Sequence, residues 1–348
     1  MLDKIIISDI ERLEEKYRQK LQQFVFEPLT SGCITETRHA HIVNEIRQLD
    51  VWALQETDRV LLSMEGSTPY TICFGFRPSR FHLGHLTLAR EIAWHLTHGA
   101  SVCAIVAGTE AGNRCSDQRA QEKVMEFWEL VRFFAPDAVS EPIVFGDASN
   151  GALQMACDAI ARSVTMHKIL QLYGWSVGEP VALIQGAIVN AATYLLPNLV
   201  VPGLPWVNLT DINQVAHAEL ARLSAKRLGW PLPGFFLRKL LPSLRGIQER
   251  MSGKDAKSVI FLDEGEEVIR KKFKKSVSGG RTNPDDQRRL GGDPLMCSFF
   301  HSSQTLLDMD EKKRMATACM NGDVLCGECK RQSVPKLLDT QRRLRVVS

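Results

Sequence analysis

One stretch in the first third of the chain constrains the fold most, because it predicts a strand that turns directly into a helix. The run Tyr70–Phe74 has the β-branched and aromatic residues typical of a buried strand. The segment Leu86–Leu96 is rich in Leu and Ala and predicts a helix. The turn between them carries the pattern H-x-G-H, formed by His82, Gly84 and His85. In open α/β folds, nucleotides bind at such strand-to-helix turns.

The chemistry of this turn suits a nucleoside triphosphate. Two histidines three residues apart at a helix start place both imidazoles near the unpaired N–H groups and the positive end of the helix dipole. Gly84 has no side chain that would keep a flat base away from the backbone. The alternative is a helix with two solvent-facing histidines, and it stays open because a four-letter pattern alone is common.

The rest of the chain continues the α/β pattern. Ala100–Ala107 predicts a buried strand, and the loop predicted at 108–113 lacks the G-x-x-x-x-G-K-[ST] form of a P-loop. Residues 1–66 predict helices, with charge spacing at 13–20 and apolar repeats at 42–62. Further predicted elements are a helix at 117–134, strands at 142–145 and 204–209, a helix at 214–228, a loop-rich link after 231–234, and a mostly helical region from 263 onward.

Composition excludes some classes and leaves others open. A net charge of +3 is too small to establish a nucleic-acid partner, and the basic stretches at 270–275 and 330–345 suit either a solvated helix face or RNA. No secretory signal is expected, because Asp3 and Lys4 precede only a short apolar run. The apolar region 181–207 is interrupted by polar residues and prolines, so no membrane span is predicted. We therefore expect a cytoplasmic protein, whose nine cysteines are thiols or metal ligands.

A second stretch, Glu249–Leu262, is a polar loop that runs into an apolar segment. Its cations Arg250, Lys254 and Lys257 could neutralise a leaving pyrophosphate during phosphoryl transfer. A flexible loop could also close over a nucleotide and open for product release. Taken alone, the same residues fit a solvated loop.

Together the two stretches resemble the HIGH and KMSKS motifs of class I aminoacyl-tRNA synthetases, in the expected order. The similarity is closer to one group, the tryptophanyl-tRNA synthetases of the archaeal and eukaryotic branch. It covers roughly residues 66–332, most of the chain. The segments that carry it, besides the two motifs, are 242–248, 258–262, 278–282, 287–292 and 327–330.

The resemblance implies a class I α/β fold: a Rossmann-type catalytic domain at 67–262 with an insertion at about 110–198. It implies a helical N-terminal appendage at 1–66 and a helical, anticodon-proximal C-terminal domain at 263–348. The implied reaction joins tryptophan and ATP into tryptophanyl-adenylate and pyrophosphate, and then transfers the amino acid to tRNA. Mg²⁺ and a homodimer are expected with it.

The resemblance also assigns roles to individual residues. Those implied to act on the phosphates during catalysis are His82, His85, Arg250, Lys254 and Lys257. Those implied to bind ATP are Gly75, Arg77, Ser79, His82, Gly84, His85, Met251 and Ser252. An amino-acid pocket is implied for Cys73, Gln185, Asn213, Gln214 and Gln248. Three glutamines suit a ligand with an ammonium, a carboxylate and one ring N–H.

Four positions depart from the family pattern. Arg250 replaces the first lysine of the loop, Lys254 replaces its second serine, Cys73 replaces a tyrosine common in this branch, and Asn213 replaces an aspartate. Cys73, Arg250 and Lys254, together with the short tail after Lys330, leave open a specialised paralogue that activates a tryptophan-like amino acid for small-molecule biosynthesis or resistance. A third hypothesis, a non-catalytic tRNA-binding module, is disfavoured by the two intact histidines.

Four cysteines near the end of the chain, Cys297, Cys319, Cys326 and Cys329, follow the pattern C-x21-C-x6-C-x2-C. Four thiolates suit a [4Fe–4S] cluster or a tetrahedral Zn²⁺. The spacing resembles the cluster-binding cysteines of some tryptophanyl-tRNA synthetases, which favours iron–sulfur, with zinc as the alternative and unliganded thiols as a third possibility. We expect a structural rather than a redox-catalytic role.

Overall fold

The computed structural model describes residues 26–29, 39–77, 79–107, 115–137, 140–147, 150–303, 305–307 and 309–347. The predicted helix at 13–20 and the predicted loop at 108–113 lie outside these residues. The chain divides into two compact units. The sheet unit comprises the described residues up to 77 together with Arg90–Lys239, and the helical unit comprises Ser79–Ala89 and the described residues from Leu240 onward.

The described strands of the sheet unit are β1 (Glu27–Pro28), β2 (Val51–Gln55), β3 (Tyr70–Phe76), β4 (Ala100–Val106), β5 (Ile143–Gly146), β6 (Trp206–Asp211) and β7 (Gly234–Arg238). They form one sheet in the order β1-β2-β7-β6-β3-β4-β5. The five strands from β7 to β5 are parallel, and β2 and β1 continue the sheet antiparallel. This confirms the predicted α/β class.

Strands β3 and β4 are adjacent interior strands of this sheet and consist mainly of hydrophobic residues. Tyr70–Phe74 and Val102–Val106 are buried, as expected for parallel strands covered on both faces. Their register sets Cys73 directly opposite Cys103. The exposed Gly75 follows at the carboxyl end of β3. The chain therefore leaves the core just before the H-x-G-H turn.

The helices that begin in the sheet unit are α1 (Ala40–Arg47), α2 (Asp58–Glu65), α4 (Asp117–Phe134), α5 (Gly151–Ser163), α6 (Met166–Tyr173), α7 (Val181–Val200) and α8 (Val215–Leu228), while α3 (Leu83–Thr97) contains the division between the units. Ser116, Asn150 and Thr165 cap the N-termini of α4, α5 and α6 with side-chain acceptors. Gly229 ends α8 in the left-handed conformation that favours glycine.

Helix α7 is the most apolar of the described helices of eighteen or more residues. By length and composition alone it could cross a membrane. However, 44% of its apolar stretch of eighteen residues is buried inside the protein. Its buried face, which includes Ala187, Ala191 and Leu195, belongs to the same core cluster as residues of α5 and α8. The helix therefore serves as a core element of the sheet unit.

The helical unit contains a short hairpin and several short helices. Its elements are β8 (Pro242–Ser243), β9 (Gly246–Arg250), α9 (Glu266–Lys275), α10 (Pro284–Leu290), α11 (Ser298–Ser303), α12 (Met309–Asn321) and α13 (Cys326–Val347). Strands β8 and β9 pair antiparallel. The prediction of a mostly helical region from residue 263 onward is confirmed.

Two sequence predictions are wrong. The apolar repeats at 42–62 predicted continuous helix, but β2 lies at their centre and pairs with β7, almost two hundred residues later. The region after 231–234 is not only a link, because β7 is a fully paired strand of the sheet. In both cases a distant partner decides the conformation, and a local repeat carries no information about that partner.

A buried polar pair connects β3 with α3. The hydroxyl of Tyr70 lies 3.0 Å from Nδ1 of His95, and both side chains are fully buried. Burial lowers the pKa of His95 to about 3, so the ring is neutral at physiological pH. A neutral ring can accept the phenolic hydrogen at Nδ1.

We expect Tyr70→Phe to lower the free energy of unfolding by about 1–2 kcal/mol, because it leaves a buried acceptor on His95 without its donor. Urea unfolding at pH 7 measures this loss. Thr97→Val is the control, since Thr97 is exposed and its hydroxyl contacts only nearby groups, the carbonyl of Trp94 and the ring of His98. Equal stability of Tyr70→Phe and the wild type would show that the pair contributes nothing.

Candidate functional site

The two histidines of the H-x-G-H pattern cap helix α3 and also hold each other. His82 precedes the first helical residue, and its Nδ1 accepts a hydrogen bond from the amide of Gly84 at 3.1 Å. The Nδ1 of His85 accepts in return from the amide of His82, also at 3.1 Å. This is the reciprocal arrangement of a capping box. Because both Nδ1 atoms accept, each neutral ring carries its hydrogen on Nε2.

The glycine between the histidines is required by the ring of His82. A Cβ atom added to Gly84 would lie 2.9 Å from Cε1 and 3.0 Å from Nδ1 of that ring. The two imidazoles are 4.2 Å apart between centroids, and Phe81 packs edge-on against His85 at 5.1 Å. Gly84 therefore has a role in the turn itself. Its role beside a nucleotide base stays a prediction.

We call Glu249–Ser258 the signature loop. Backbone pairing joins the H-x-G-H turn to the segment that follows this loop. Phe81–Leu83 and Ile260–Leu262 run antiparallel, and His82 faces Phe261 in an isolated bridge. Two backbone hydrogen bonds of 3.0 and 3.1 Å hold the two segments together. The two motifs, which lie about 170 residues apart in the sequence, thus meet within one compact unit.

The charge of Arg250 reaches the ring of His82. Burial and, to a smaller extent, the positive guanidinium of Arg250 together lower the pKa of His82 to about 4. Arg250 itself ends β9 on an exposed surface. The structure therefore places a neutral imidazole close to a permanent cation.

The carboxylate of Asp255 stabilises the turn within the signature loop. Its Oδ1 accepts from the amide of Lys257 at 2.9 Å, and its Oδ2 lies 3.4 Å from Nη1 of Arg245. Both interactions lower the pKa of Asp255, the backbone hydrogen bond most. Ser258 closes the turn, with its hydroxyl 2.8 Å from the carbonyl of Asp255.

The predicted loop residues divide by exposure. Met251 is buried and its amide donates to the carbonyl of Leu241 at 2.7 Å, which anchors the start of the loop. Ser252 is half-buried, and its hydroxyl oxygen accepts from the amide of Lys254 at 3.4 Å. The ammonium groups of Lys254 and Lys257 belong to exposed side chains. The loop thus presents cations to solvent above an apolar anchor.

An ion pair that the sequence reading missed reinforces the same junction. Arg80 binds Asp263 in a bidentate manner, at 2.6 and 3.1 Å, and its guanidinium lies 4.0 Å from the ring centroid of Phe261. Both charged side chains are more than half exposed, so solvent screens the pair and it adds little to stability. Its effect is to orient the turn before His82. No sequence signal links two residues 183 positions apart.

The remaining predicted nucleotide residues, Gly75, Arg77 and Ser79, are exposed around the end of β3. Gly75 and Arg77 belong to the sheet unit, and Ser79 belongs to the helical unit. A Cβ on Gly75 would meet the carbonyl of Ile105 at 3.4 Å, an ordinary contact. Their contacts with a nucleotide stay a prediction.

Four of the five predicted pocket residues lie in the sheet unit and differ in exposure. Cys73 is only 2% exposed, and its contact with the Cys103 thiol and its burial raise its pKa. Gln185 is exposed on α7. Asn213 and Gln214 are half-buried in the 3₁₀ turn Ile212–Gln214 after β6. The fifth, Gln248, is exposed on β9 in the helical unit.

Asn213 has a buried side-chain donor at the turn after β6. Its Nδ2 is buried and makes no hydrogen bond with any of the residues that the structure describes. The backbone of the turn is otherwise satisfied, since Oδ1 of Asp211 accepts from the Asn213 amide at 2.8 Å. A buried amide donor without an acceptor is costly, and a bound carboxylate or carbonyl would satisfy it.

The four predicted cysteine ligands line one cavity in the helical unit, together with Gly279, Gln287 and Lys330 among others. Glycines make room for the sulfur atoms: an added Cβ would lie 2.4 Å from Sγ of Cys326 at Gly280 and 2.9 Å from Sγ of Cys319 at Gly292. The amide Nε2 of Gln287 lies 3.5 Å from Sγ of Cys326. The structure therefore brings together all four cysteines that the spacing selected.

Burial and mutual repulsion oppose ionisation of these thiols. Burial raises the pKa of Cys319 to about 12 and that of Cys329 to about 11, and the neighbouring cysteines act in the same direction. Within the described part of the chain, no group of three or more His, Cys, Asp or Glu side chains is arranged to hold a metal ion as it stands.

Comparison with known proteins identifies the relatives of this chain. Residues 212–337 match the family model of class I tRNA synthetases (W and Y). A tryptophan–tRNA ligase of Pyrobaculum calidifontis is 26% identical over 334 residues, which cover 92% of this chain and 88% of the relative. A tryptophan–tRNA ligase of Thermococcus onnurineus is 24% identical, with coverage of 96% and 88%. These matches agree with the motifs and confirm the resemblance.

Solved structures give the same fold. The tryptophanyl-tRNA synthetase of Aeropyrum pernix superimposes with a TM-score of 0.77 at 24% identity, covering 97% of this chain and 95% of that one. The Encephalitozoon cuniculi enzyme bound to tryptophan gives a TM-score of 0.75 at 18% identity, with coverage of 96% and 94%. The predicted class I synthetase fold is thereby confirmed.

We expect His82 to titrate far below the ordinary histidine value of about 6.5, near pH 4, and Arg250→Gln to raise its pKa. The pKa should stay below 6.5 in the variant, because burial is the larger cause. NMR titration of histidine-labelled protein measures both values. Because the folded pKa lies below the unfolded one, His82 also makes stability fall as the pH drops from about 6.5 toward 4.

Arg245→Gln is the matched control for this titration. Arg245 lies in the turn between β8 and β9 and pairs with Asp255. It should leave the pKa of His82 unchanged. A wild-type His82 that titrates near 6.5, or an Arg250→Gln variant with an unshifted pKa, would contradict the assigned proximity.

Proposed function

We propose that this chain, a class I synthetase of the tryptophan and tyrosine family, activates tryptophan with ATP and transfers it to tRNA. The observation that carries the proposal is the junction of the two motifs. The helix start capped by His82 and His85 is paired with the segment that follows the signature loop, whose first cation is Arg250. Such a junction can hold a nucleotide triphosphate and neutralise the charge that develops on its leaving group.

Catalysis needs no nucleophile from the protein, because the tryptophan carboxylate attacks the α-phosphorus of ATP and pyrophosphate leaves. The enzyme contributes positioning and charge stabilisation. The Nε2–H groups of His82 and His85 would donate to phosphate oxygens, assisted by the positive end of α3. Arg250, Lys254 and Lys257 would bind the departing pyrophosphate, with Met251 and Ser252 fixing the start of the loop.

The arginine at position 250 can bind a phosphate differently from the lysine of the family pattern. Its guanidinium is always charged and can bind two phosphate oxygens at once, whereas a lysine acts as a point charge. Lys254 adds a second cation where the family has a serine. Mg²⁺ would be held mainly by the substrate phosphates and by water, as is usual for Mg²⁺ in phosphoryl-transfer sites. Gly75, Arg77 and Ser79 would complete the nucleotide site.

The amino-acid pocket is proposed at Cys73, Gln185, Asn213, Gln214 and Gln248. The unsatisfied Nδ2 of Asn213 supports a polar ligand at the turn after β6. The relatives are named tryptophan–tRNA ligases, which favours tryptophan as the substrate. No comparison favours the alternatives, a specialised paralogue or a non-catalytic tRNA-binding module.

The wider organisation belongs to the same proposal. A catalytic domain at 67–262 with an insertion at about 110–198, and an anticodon-proximal domain at 263–348, would act in the cytoplasm on tRNA. The helical appendage expected at 1–66 is not proposed again, because β1 and β2 are strands of the sheet. A homodimer is expected as part of this proposal. Exposed apolar side chains of the insertion that are candidates for its interface are Met155, Met166, Val177, Val181 and Leu183.

Tryptophan-dependent exchange of pyrophosphate into ATP tests the activity. We expect His82→Asn and His85→Gln to lower the exchange rate roughly 100- to 1,000-fold, because a carboxamide whose oxygen caps the helix cannot present an N–H where the imidazole Nε2–H stood. Both variants should keep the melting temperature, since asparagine is a good N-cap and glutamine at the third position completes a capping box. Folding and catalysis are thus separated by the same substitutions.

His167→Asn, an exposed histidine on α6, is the control and should exchange like the wild type. Wild-type exchange in both motif variants would refute the nucleotide assignment. Exchange that depends on another amino acid, without a response to tryptophan, would refute the substrate. Exchange with tryptophan but no charging of tRNA would leave the second half of the reaction unsupported.

The four cysteines are proposed to hold a [4Fe–4S] cluster, with Zn²⁺ as the alternative. Their donor set is that of either group. The glycines beside Cys319 and Cys326 leave the space that sulfur ligands need. A bound metal would reverse the raised thiol pKa values by stabilising the thiolates. When bound, the cluster would supply a cross-link between helices rather than redox chemistry.

Anaerobically purified protein should be brown, with about four iron and four sulfide per chain. Cys326→Ser should remove the colour and lower the melting temperature, because metal-binding energy is folding energy in such a site. Cys157→Ser, on α5 in the sheet unit, should change neither. One zinc per colourless chain would support the four ligands and reject iron–sulfur. A metal-free protein that Cys326→Ser leaves unchanged would reject both.

A further inference from the structure

The segment Val259–Glu264, which we call the loop root, connects the signature loop to the rest of the helical unit. Its first four residues are buried, although the segment belongs to no regular helix or strand. Buried backbone groups outside regular structure need partners from elsewhere. The H-x-G-H turn supplies some of them, and the ammonium of Lys272 donates to the carbonyl of Val259 at 2.8 Å.

Gln341 supplies partners for two further carbonyls. Its Nε2 lies 2.8 Å from the carbonyl oxygen of Leu262 and 3.0 Å from that of Glu264. A carboxamide nitrogen carries two hydrogens, so both are used on the loop root. The side chain is 4% exposed, which shields these hydrogen bonds from competing water. Gln341 lies in α13, the helix that begins with the proposed ligand Cys326.

The loop root is therefore fixed on two sides. The H-x-G-H turn pairs with its centre, and Gln341 holds the carbonyls on both sides of Asp263. Asp263 is the residue that binds Arg80. A loop that opens and closes returns its cations to the same place only if its root stays fixed, and small displacements of charged groups cost much of the rate.

We propose that Gln341 is a positioning residue for adenylate formation, which fixes the root of the signature loop from the C-terminal helix so that its cations meet the pyrophosphate in register. The inference rests on the proposed function. It gives α13 a role in the first half-reaction, in addition to any role in contacting tRNA.

Gln341→Glu tests the inference, because it keeps the size of the side chain but replaces both donors with a carboxylate facing two carbonyls. We expect the kcat of tryptophan-dependent pyrophosphate exchange to fall about tenfold or more, with an unchanged KM for tryptophan. Titration of active sites by the burst of adenylate should give the wild-type number of sites. A purely structural role would instead lower the number of active sites and leave kcat per site unchanged.

Gln332→Glu is the matched control, with the same substitution on the same helix at an exposed position. It should leave kcat and KM at wild-type values. Hydrogen–deuterium exchange provides a readout that does not depend on activity: amides of residues 259–264 should exchange faster in Gln341→Glu than in the control. This measurement decides the structural half of the inference even if the variant is unstable.

Wild-type kcat per site in Gln341→Glu, or unchanged hydrogen exchange at 259–264, would overturn the inference and leave the proposed function intact. Absence of tryptophan-dependent exchange in the wild-type protein would instead overturn the proposed function, and the catalytic role of Gln341 with it. The two failures are distinguished by the activity of the wild type.

Discussion

The reciprocal hydrogen bonds of His82 and His85 are the interaction on which the candidate site depends. Each Nδ1 satisfies an N–H group that the start of α3 would otherwise leave unpaired. The same bonds fix the tautomer and turn Nε2–H into the remaining donor of each ring. One pair of residues therefore builds the helix start and prepares its chemistry. Gly84 is part of this arrangement because a side chain there would collide with the His82 ring.

The second motif acquires its place from the first. The signature loop has few contacts of its own beyond the turn made by Asp255 and the anchor Met251. Its root, in contrast, is paired with Phe81–Leu83 and held by Gln341. A loop that is tied firmly at its ends and loosely between them can move without losing its register. The exposed Arg80–Asp263 pair adds orientation at this junction and little stability.

Sequence reasoning located the elements whose signals are local and missed those whose signals are distant. Strands β3 and β4 and helix α4 were predictable because continuous apolar runs, periodicity and the cap Ser116 lie within each segment. Strand β2 was not, because its pairing with β7 is invisible in its own sequence. At the site, the motifs identified the histidines and the loop cations. Asp263 and Gln341 carried no signal, since their partners are 183 and 79 residues away.

The cysteine cavity was only partly predictable from the sequence. The spacing of four cysteines was a local signal, but the cavity also requires Gly280 and Gly292, whose lack of side chains lets two sulfur atoms approach the backbone. The elements around it include helices of seven and six residues, α10 and α11. Isolated helices of that length are not stable in water, because nucleation costs more than a few hydrogen bonds return. A four-thiolate centre would link Cys297, just before α11, with α12 and the start of α13, so its main consequence would be to cross-link short elements that are separate in the sequence.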